Sequence, residues 1–262
     1  MRITANGVGI GYRLDGPEDA PVVCLSNSLA SNMTMWAPQV AALAADYRVL
    51  RYDTRGHGTS EAVPGPYSIA MLAEDLLALF SELGIARAHF VGLSLGGMIG
   101  QWLAAHHGEV LASAALCSTT SRVPPEMAPA WDERVATAEG AGMAALVEPT
   151  IERWFSPAFV AAEPGAVDPV RAMIRDTSIA GYAGCIGAIK TLDQTAMLAG
   201  IDVPTLVIVG EDDPATPVAA ARLIHGAVAN SELVVIPGAR HLCNIERGGA
   251  FNDALLGFLR HR

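Results

Sequence analysis

Short, uniformly apolar runs alternate with stretches of helical period along most of this chain. Val8–Leu14 and Pro21–Ser26 read as strands, Met33–Ala45 as a helix, and Tyr47–Tyr52 as a strand leading into the Gly-rich segment Asp53–Ser60. Ser68 is a good N-cap for a helix running to about Leu83. Ala88–Val91 and Val110–Cys117 are apolar at every position or nearly so, the signature of parallel strands covered on both faces. From Arg122 to Thr195 the pattern changes. No strong strand appears there, and short helical stretches are broken by Pro124, Pro125, Pro129, Pro149, Pro157, Pro164 and Pro169. The alternation then resumes with a strand at Pro204–Gly210, a helix start at Thr216-Pro217 (N-cap and first helical position), a strand at Ser231–Ile236 and a closing helix at Gly248–Arg260. Alternating β and α elements predict an α/β fold, a mostly parallel sheet with helices on both faces. The middle stretch reads as a helical cap: residues 1–121 and 196–262 form the sheet domain, and residues 122–195 are inserted into it.

Composition changes this picture little. At 262 residues and 51% hydrophobic, the chain suits one large α/β domain and needs no disulfide or metal to stabilise its core. The mean hydropathy of +0.33 raises the question of a membrane span. Ala88–Gly108 has no Asp, Glu, Lys or Arg and is long enough to cross a bilayer, but Gly92, Gly96, Gly97, Gly100, Ser94, Gln101 and three histidines within it read as strand, turn and helix. The N-terminus has no signal-peptide apolar region, so a cytoplasmic protein is expected. The net charge is −10 and Lys190 is the only lysine, a balance that repels phosphate backbones and argues against nucleic acid. Cys24, Cys117, Cys185 and Cys243 are far apart with no CxxC pair, and read as buried small apolar residues. There is no metal-ligand cluster and no dinucleotide fingerprint, so no metal and no cofactor are implied.

The chemistry concentrates in Gly92-Leu93-Ser94-Leu95-Gly96, a G-x-S-x-G motif between an apolar strand and the helical stretch Met98–His106. A sharp strand-to-helix turn exposes the serine oxygen, and the helix N-terminus behind it stabilises negative charge. A serine hydroxyl needs a base, and in this arrangement an acid and then a histidine follow the serine in the chain. Gly210-Glu211-Asp212-Asp213 ends one late strand and Gly238-Ala239-Arg240-His241 the next, both at carboxyl ends where ligand crevices form. His241 is the expected base. Spacing alone does not choose between Asp212 and Asp213. His57 also follows a strand, but it precedes Ser94, the wrong order for a base. His89, His106, His107, His225 and His261 read as structural or solvated. An oxyanion hole needs two converging donors. The expected pair is the backbone N–H of Leu95 and that of Leu29, in the loop after Pro21–Ser26, whose shape Asn27 and Ser28 set.

Ser94 and His241, with an acid between them, resemble the triad of an α/β hydrolase, and the resemblance covers essentially the whole chain. Asp53-Thr54-Arg55-Gly56-His57-Gly58 resembles the loop many members carry before the nucleophile. Gly210-x-x-Asp213-x-x-Thr216-Pro217 resembles the family's acid turn, which selects Asp213. More narrowly, Leu25-Ser26-Asn27-Ser28-Leu29, Glu152-Arg153-Trp154-Phe155, Gly181-Tyr182-Ala183 and His241-Leu242-Cys243-Asn244-Ile245-Glu246 resemble the 3-oxoadipate enol-lactonases. That resemblance implies attack of Ser94 on a lactone carbonyl, ring opening to an enol that ketonises, and hydrolysis of the acyl-serine, in the breakdown of aromatic compounds.

A family substrate carries a carboxylate, which a chain of charge −10 repels at long range. The cap holds six basic and ten acidic residues, so a specific arginine is required; Arg134 and Arg153 are the candidates. Taken singly, each reads more readily as a surface cation paired with a nearby acid. Trp154 and Tyr182 are candidates for the pocket wall or for packing within the cap. Three other functions compete: a carboxylesterase for another small ester or lactone, a C–C bond hydrolase, and a non-catalytic ligand-binding homologue. C–C hydrolases usually have a His-Gly-rich oxyanion loop, which Ser26–Leu29 is not. A receptor is expected to lack a triad member, and none is lacking.

Overall fold

The computed structural model describes residues 1–262. Eight strands form one sheet: β1 (Arg2–Ala5), β2 (Val8–Asp15), β3 (Val22–Ser26), β4 (Arg48–Tyr52), β5 (Ala88–Leu93), β6 (Leu111–Cys117), β7 (Thr205–Gly210) and β8 (Ser231–Ile236). Their spatial order is β1-β2-β4-β3-β5-β6-β7-β8. The first two strands pair antiparallel, as do β2 and β4, and every later pairing is parallel. The central strands β5 and β7 are buried at every position, which explains their unbroken apolar sequences. β1 is the strand not foreseen. It is short and alternates exposed with buried residues, so it carries little hydrophobic signal before β2 pairs with it.

The helices of the sheet domain are α1 (Ala37–Leu43), α2 (Ile69–Glu82), α3 (Leu95–His106), α9 (Val218–Ala227), α10 (Cys243–Glu246) and α11 (Gly248–Leu259). Ser68 caps α2 as expected, its hydroxyl accepting from the Met71 amide. The expected helix Met33–Ala45 is instead a 3₁₀ turn, Met33–Trp36, followed by α1, with Pro38 seated in the first turn of α1. The membrane-length stretch Ala88–Gly108 resolves into β5, the turn at Ser94 and α3, and no helix is long and apolar enough to cross a membrane. All four cysteines are free and buried.

Between β6 and β7 the chain leaves the sheet and forms α4 (Ala128–Ala141), α5 (Val147–Trp154), α6 (Pro157–Ala162), α7 (Pro164–Asp176) and α8 (Ile179–Lys190). The prolines fall largely in first turns of these helices, where no amide partner is lost; Pro169 lies inside α7. An isolated antiparallel bridge, Arg122 to Asp193, draws the two ends of this excursion together. Its α8 packs on the loop after β4 so closely that Gly181 and Gly56 meet backbone to backbone.

Candidate active site

Ser94 sits at the junction of β5 and α3 with φ 56° and ψ −110°. A non-glycine residue in this region is strained by about 1–3 kcal/mol and persists only where its surroundings hold it. Here the Ser94 amide donates to Cys117 O (2.8 Å), the Thr119 hydroxyl donates to Ser94 O (2.8 Å), and the Gly96 amide donates to Asn27 O (3.0 Å). The two motif glycines have a steric reason. A Cβ at Gly92 would collide with the Gly96 carbonyl, and one at Gly96 with the Ser26 carbonyl.

Asp213 follows β7 and is buried. Its Oδ1 accepts from the amides of Ala215 (2.8 Å) and Thr216 (3.0 Å), and its Oδ2 from the Thr216 hydroxyl (2.7 Å) and His241 Nδ1 (2.9 Å). Burial pushes this carboxyl up. The His241 charge outweighs that, together with the hydrogen bonds from His241 and Thr216, and holds it below the ordinary carboxylate value. Thr216 is therefore not the helix cap its Thr-Pro sequence predicts. Its hydroxyl is committed to the carboxylate, and α9 starts after Pro217 without a side-chain cap. His241 is buried on the loop after β8, with Trp154 of α5 tilted against it at 6.2 Å between ring centres. The structure brings Asp213 and His241 into direct contact. It sets Ser94 and His241 on the wall of one cavity, without a hydrogen bond between them.

The loop expected to supply an oxyanion donor is fixed from several sides. Asn27 donates to Tyr52 O (2.8 Å) and accepts from Trp36 Nε1 (2.9 Å), so its side chain shapes the loop. Ser28, Leu29 and Ala30 line the cavity, and Ala30 takes a left-handed φ of 58°. The amides of Leu29 and Leu95 donate to no protein acceptor, while the neighbouring Ala30 and Gly96 amides are both engaged.

The cavity measures about 510 Å³. Its sheet-side wall holds Ser94, His241 and the Leu29 loop, and its cap-side wall holds Trp131, Arg134, Arg153, Trp154 and Tyr182. Both candidate arginines thus face the serine cavity rather than solvent-side acids. Neither is paired with a carboxylate. Arg134 stacks on the Trp131 ring at 4.4 Å, and Arg153 makes one hydrogen bond, to Thr150 Oγ1 at 3.3 Å. Arg171 and Lys190, by contrast, are held by Glu148, Asp168 and Asp132. Burial, and then the adjacent charge of Arg134, push the Arg153 guanidinium below its ordinary value. Two cations that repel each other and have no counter-ion make a local positive field in an acidic chain.

A model of the alpha/beta hydrolase fold matches residues 21–248. The chain is an α/β hydrolase. It is 36% identical to 3-oxoadipate enol-lactonase 2 of Acinetobacter baylyi over 97% of this chain and 94% of that protein. A putative carbamate hydrolase, RutD, of Pseudomonas savastanoi pv. phaseolicola is 34% identical, covering 92% of this chain and 94% of that one. Among solved structures, the enol-lactonase from Burkholderia xenovorans LB400 is 42% identical with a TM-score of 0.96, covering 99% of this chain and 100% of that chain.

Two features of this hydrolase escaped sequence reasoning. The first is a clamp between the cap and the His241 loop. Buried Glu246 accepts from the Ser156 amide (2.8 Å) and the Arg240 amide (2.6 Å). The Leu242 amide donates to Trp154 O (3.2 Å), and the Arg240 guanidinium donates to the carbonyls of Glu152 and Phe155. The two motifs Glu152–Phe155 and His241–Glu246, noted separately in the sequence, are thus one contact. The second is a buried ion pair, Arg55 with Asp75, which also accepts from Asn6 (2.8 Å) and lies under Tyr67. It anchors the loop after β4 to α2.

Proposed function

We propose that this hydrolase uses Ser94, His241 and Asp213 as a catalytic triad to open a small carboxylated lactone, the enol-lactone of 3-oxoadipate. The observation that carries the substrate class is the pair of unpaired arginines facing the serine across the cavity. The similarity to 3-oxoadipate enol-lactonases supports the specific lactone.

In this reading Asp213 holds the proton on Nδ1 of His241, which leaves Nε2 to take the Ser94 proton as Oγ attacks the lactone carbonyl. The amides of Leu29 and Leu95 receive the oxyanion, and losing either donor costs about 10²–10³ in rate. Collapse breaks the ring C–O bond, and His241 returns the proton to the freed enol oxygen, which stays tethered to the acyl-serine and ketonises there. A water deprotonated by His241 then hydrolyses the acyl-serine, releasing a second carboxylate. Arg134 and Arg153 of the cap, residues 122–195, hold the substrate's own carboxylate, and Trp154 and Tyr182 form apolar walls. The similarity to a putative carbamate hydrolase favours one other reading, a small carbamate or ester cleaved by the same triad.

A substrate panel separates the readings. The expected result is a kcat/KM for 3-oxoadipate enol-lactone well above that for p-nitrophenyl acetate or a simple carbamate, and no turnover of any of them by Ser94→Ala. A clear preference for the aryl ester or the carbamate overturns the lactonase reading, and full activity in Ser94→Ala overturns the triad.

A further inference from the structure

His57 is fully enclosed in the Gly-rich loop after β4 and has no part in the triad. Its ring is nonetheless tied to the site. Nε2 accepts the backbone N–H of Ala30 at 3.1 Å, and Nδ1 faces the carbonyl of Arg55 at 3.2 Å. An N–H aimed at Nε2 requires that nitrogen to be unprotonated, so the ring is neutral with its proton on Nδ1, donating to Arg55 O. Ala30 is the residue of this loop in the left-handed region, which for alanine costs about 1–3 kcal/mol and needs an outside hold. It directly follows Leu29, which lines the same cavity as Ser94 and whose amide has no protein acceptor. Fixing the Ala30 N–H fixes the peptide plane next to that of the Leu29 N–H.

We propose that neutral His57 is a positioning residue for the oxyanion loop: by accepting the Ala30 amide it holds the Leu29 amide where the oxyanion forms. The proposal rests on the serine-hydrolase reading above for its catalytic consequence. Protonation of His57 would put an N–H on Nε2 against the Ala30 N–H, donor against donor, and release the loop. Burial keeps the ring neutral, and it outweighs the opposing pull of the Arg55 carbonyl and Asp53. Asp53 is the one charged side chain acting on the ring, and its oxygens are engaged by the amides of Met33 and Thr59. The other titratable groups on the packed elements face elsewhere. Arg55 and Asp75 of α2 pair with each other, Cys185 of α8 lies against that pair, and Tyr182 faces Arg134 and Arg153.

The test compares His57→Gln, whose amide oxygen can still accept from Ala30, with His57→Leu, which cannot. With p-nitrophenyl acetate as probe, His57→Leu is expected to lose about 10–100-fold in kcat, less than deletion of a whole oxyanion donor, with KM little changed. His57→Gln should recover most of that loss. Nitrogen NMR of the full chain gives a readout independent of turnover: His57 should show a bare Nε2, and the Ala30 amide shift should follow the His57 titration. A proton on Nε2, or equal impairment of the two variants, overturns the proposal. If the enzyme cleaves no ester and Ser94 proves inert, the function falls while the His57–Ala30 tie is still decided by NMR.

Discussion

Replacing Arg134 by alanine tests whether the cap recognises a carboxylate. Arg134 and Arg153 lie on the cap side of the cavity, half-buried and without acidic partners. A hydrogen bond to a charged group contributes about 1.5–3 kcal/mol, and partial exposure of Arg134 reduces that to roughly 1–2 kcal/mol. Each 1.36 kcal/mol is about tenfold, so KM for the carboxylated lactone should rise about 5–30-fold. The lower end is expected, because removing Arg134 also removes the repulsion that Arg153 now feels and leaves Arg153 a better anion ligand. The double variant should therefore lose more than the two single losses combined. kcat should change little, since the carboxylate is bound equally in ground and transition states. The lost stacking on Trp131 affects the cap's stability, not this ratio. Steady-state kinetics on the lactone and on p-nitrophenyl acetate in parallel give the answer, and added salt should shrink the difference between wild type and variant. Equal losses on the charged and uncharged substrates refute the reasoning, as does an unchanged lactone KM in the double variant.

Thr216→Val removes the hydroxyl from Asp213 Oδ2 and leaves that oxygen with His241 alone. A loss of about 1–2 kcal/mol, or about 5–30-fold in kcat, is expected. Because the folded-state value of Asp213 is depressed, its stabilisation is present above its unfolded value and is lost as pH falls through the folded one; Thr216→Val narrows that gap and should move acid unfolding to higher pH. Circular dichroism against pH measures this, and an unmoved acid transition counts against it. Gly181→Ala places a Cβ inside the Gly56 backbone, where α8 meets the sheet domain. The cost should be about 1–3 kcal/mol, with Tm falling roughly 2–4 °C per kcal/mol on calorimetry, and an unchanged Tm would show the contact to be loose.

What was legible in the sequence was local. The elbow could be read because strand, glycines, serine and helix lie within one short stretch, and each glycine answers a backbone collision nearby. The acid and His241 turns could be placed because each ends an apolar strand, whereas the choice of Asp213 over Asp212 came from the resemblance of its turn to the family's. Chain order ruled out His57 as a base, but its actual partner, the Ala30 amide, is a backbone group that leaves no mark on side-chain identity. Thr216 misled for a related reason: the hydroxyl of a threonine before proline can accept an amide as a helix cap or donate to an acceptor elsewhere, and only the fold brings the Asp213 carboxylate within reach. Arg134 and Arg153 were already candidates in the sequence, but that neither is paired with an acid depends on contacts between separate helices.

The clamp at Glu246 has a consequence for remaking this enzyme. The cap leaves and rejoins the sheet near Arg122 and Asp193, so a graft from a relative invites two crossover points there. Yet residues 152–156 are fastened to residues 240–246, far away in sequence, through backbone amides and carbonyls as well as the Glu246 and Arg240 side chains. A transplanted cap would meet a foreign histidine loop, and the wall formed by Trp154 would shift against the imidazole it leans on. The transferable unit is therefore discontinuous: cap and histidine loop together, exchanged as one piece, with the sheet between them left in place.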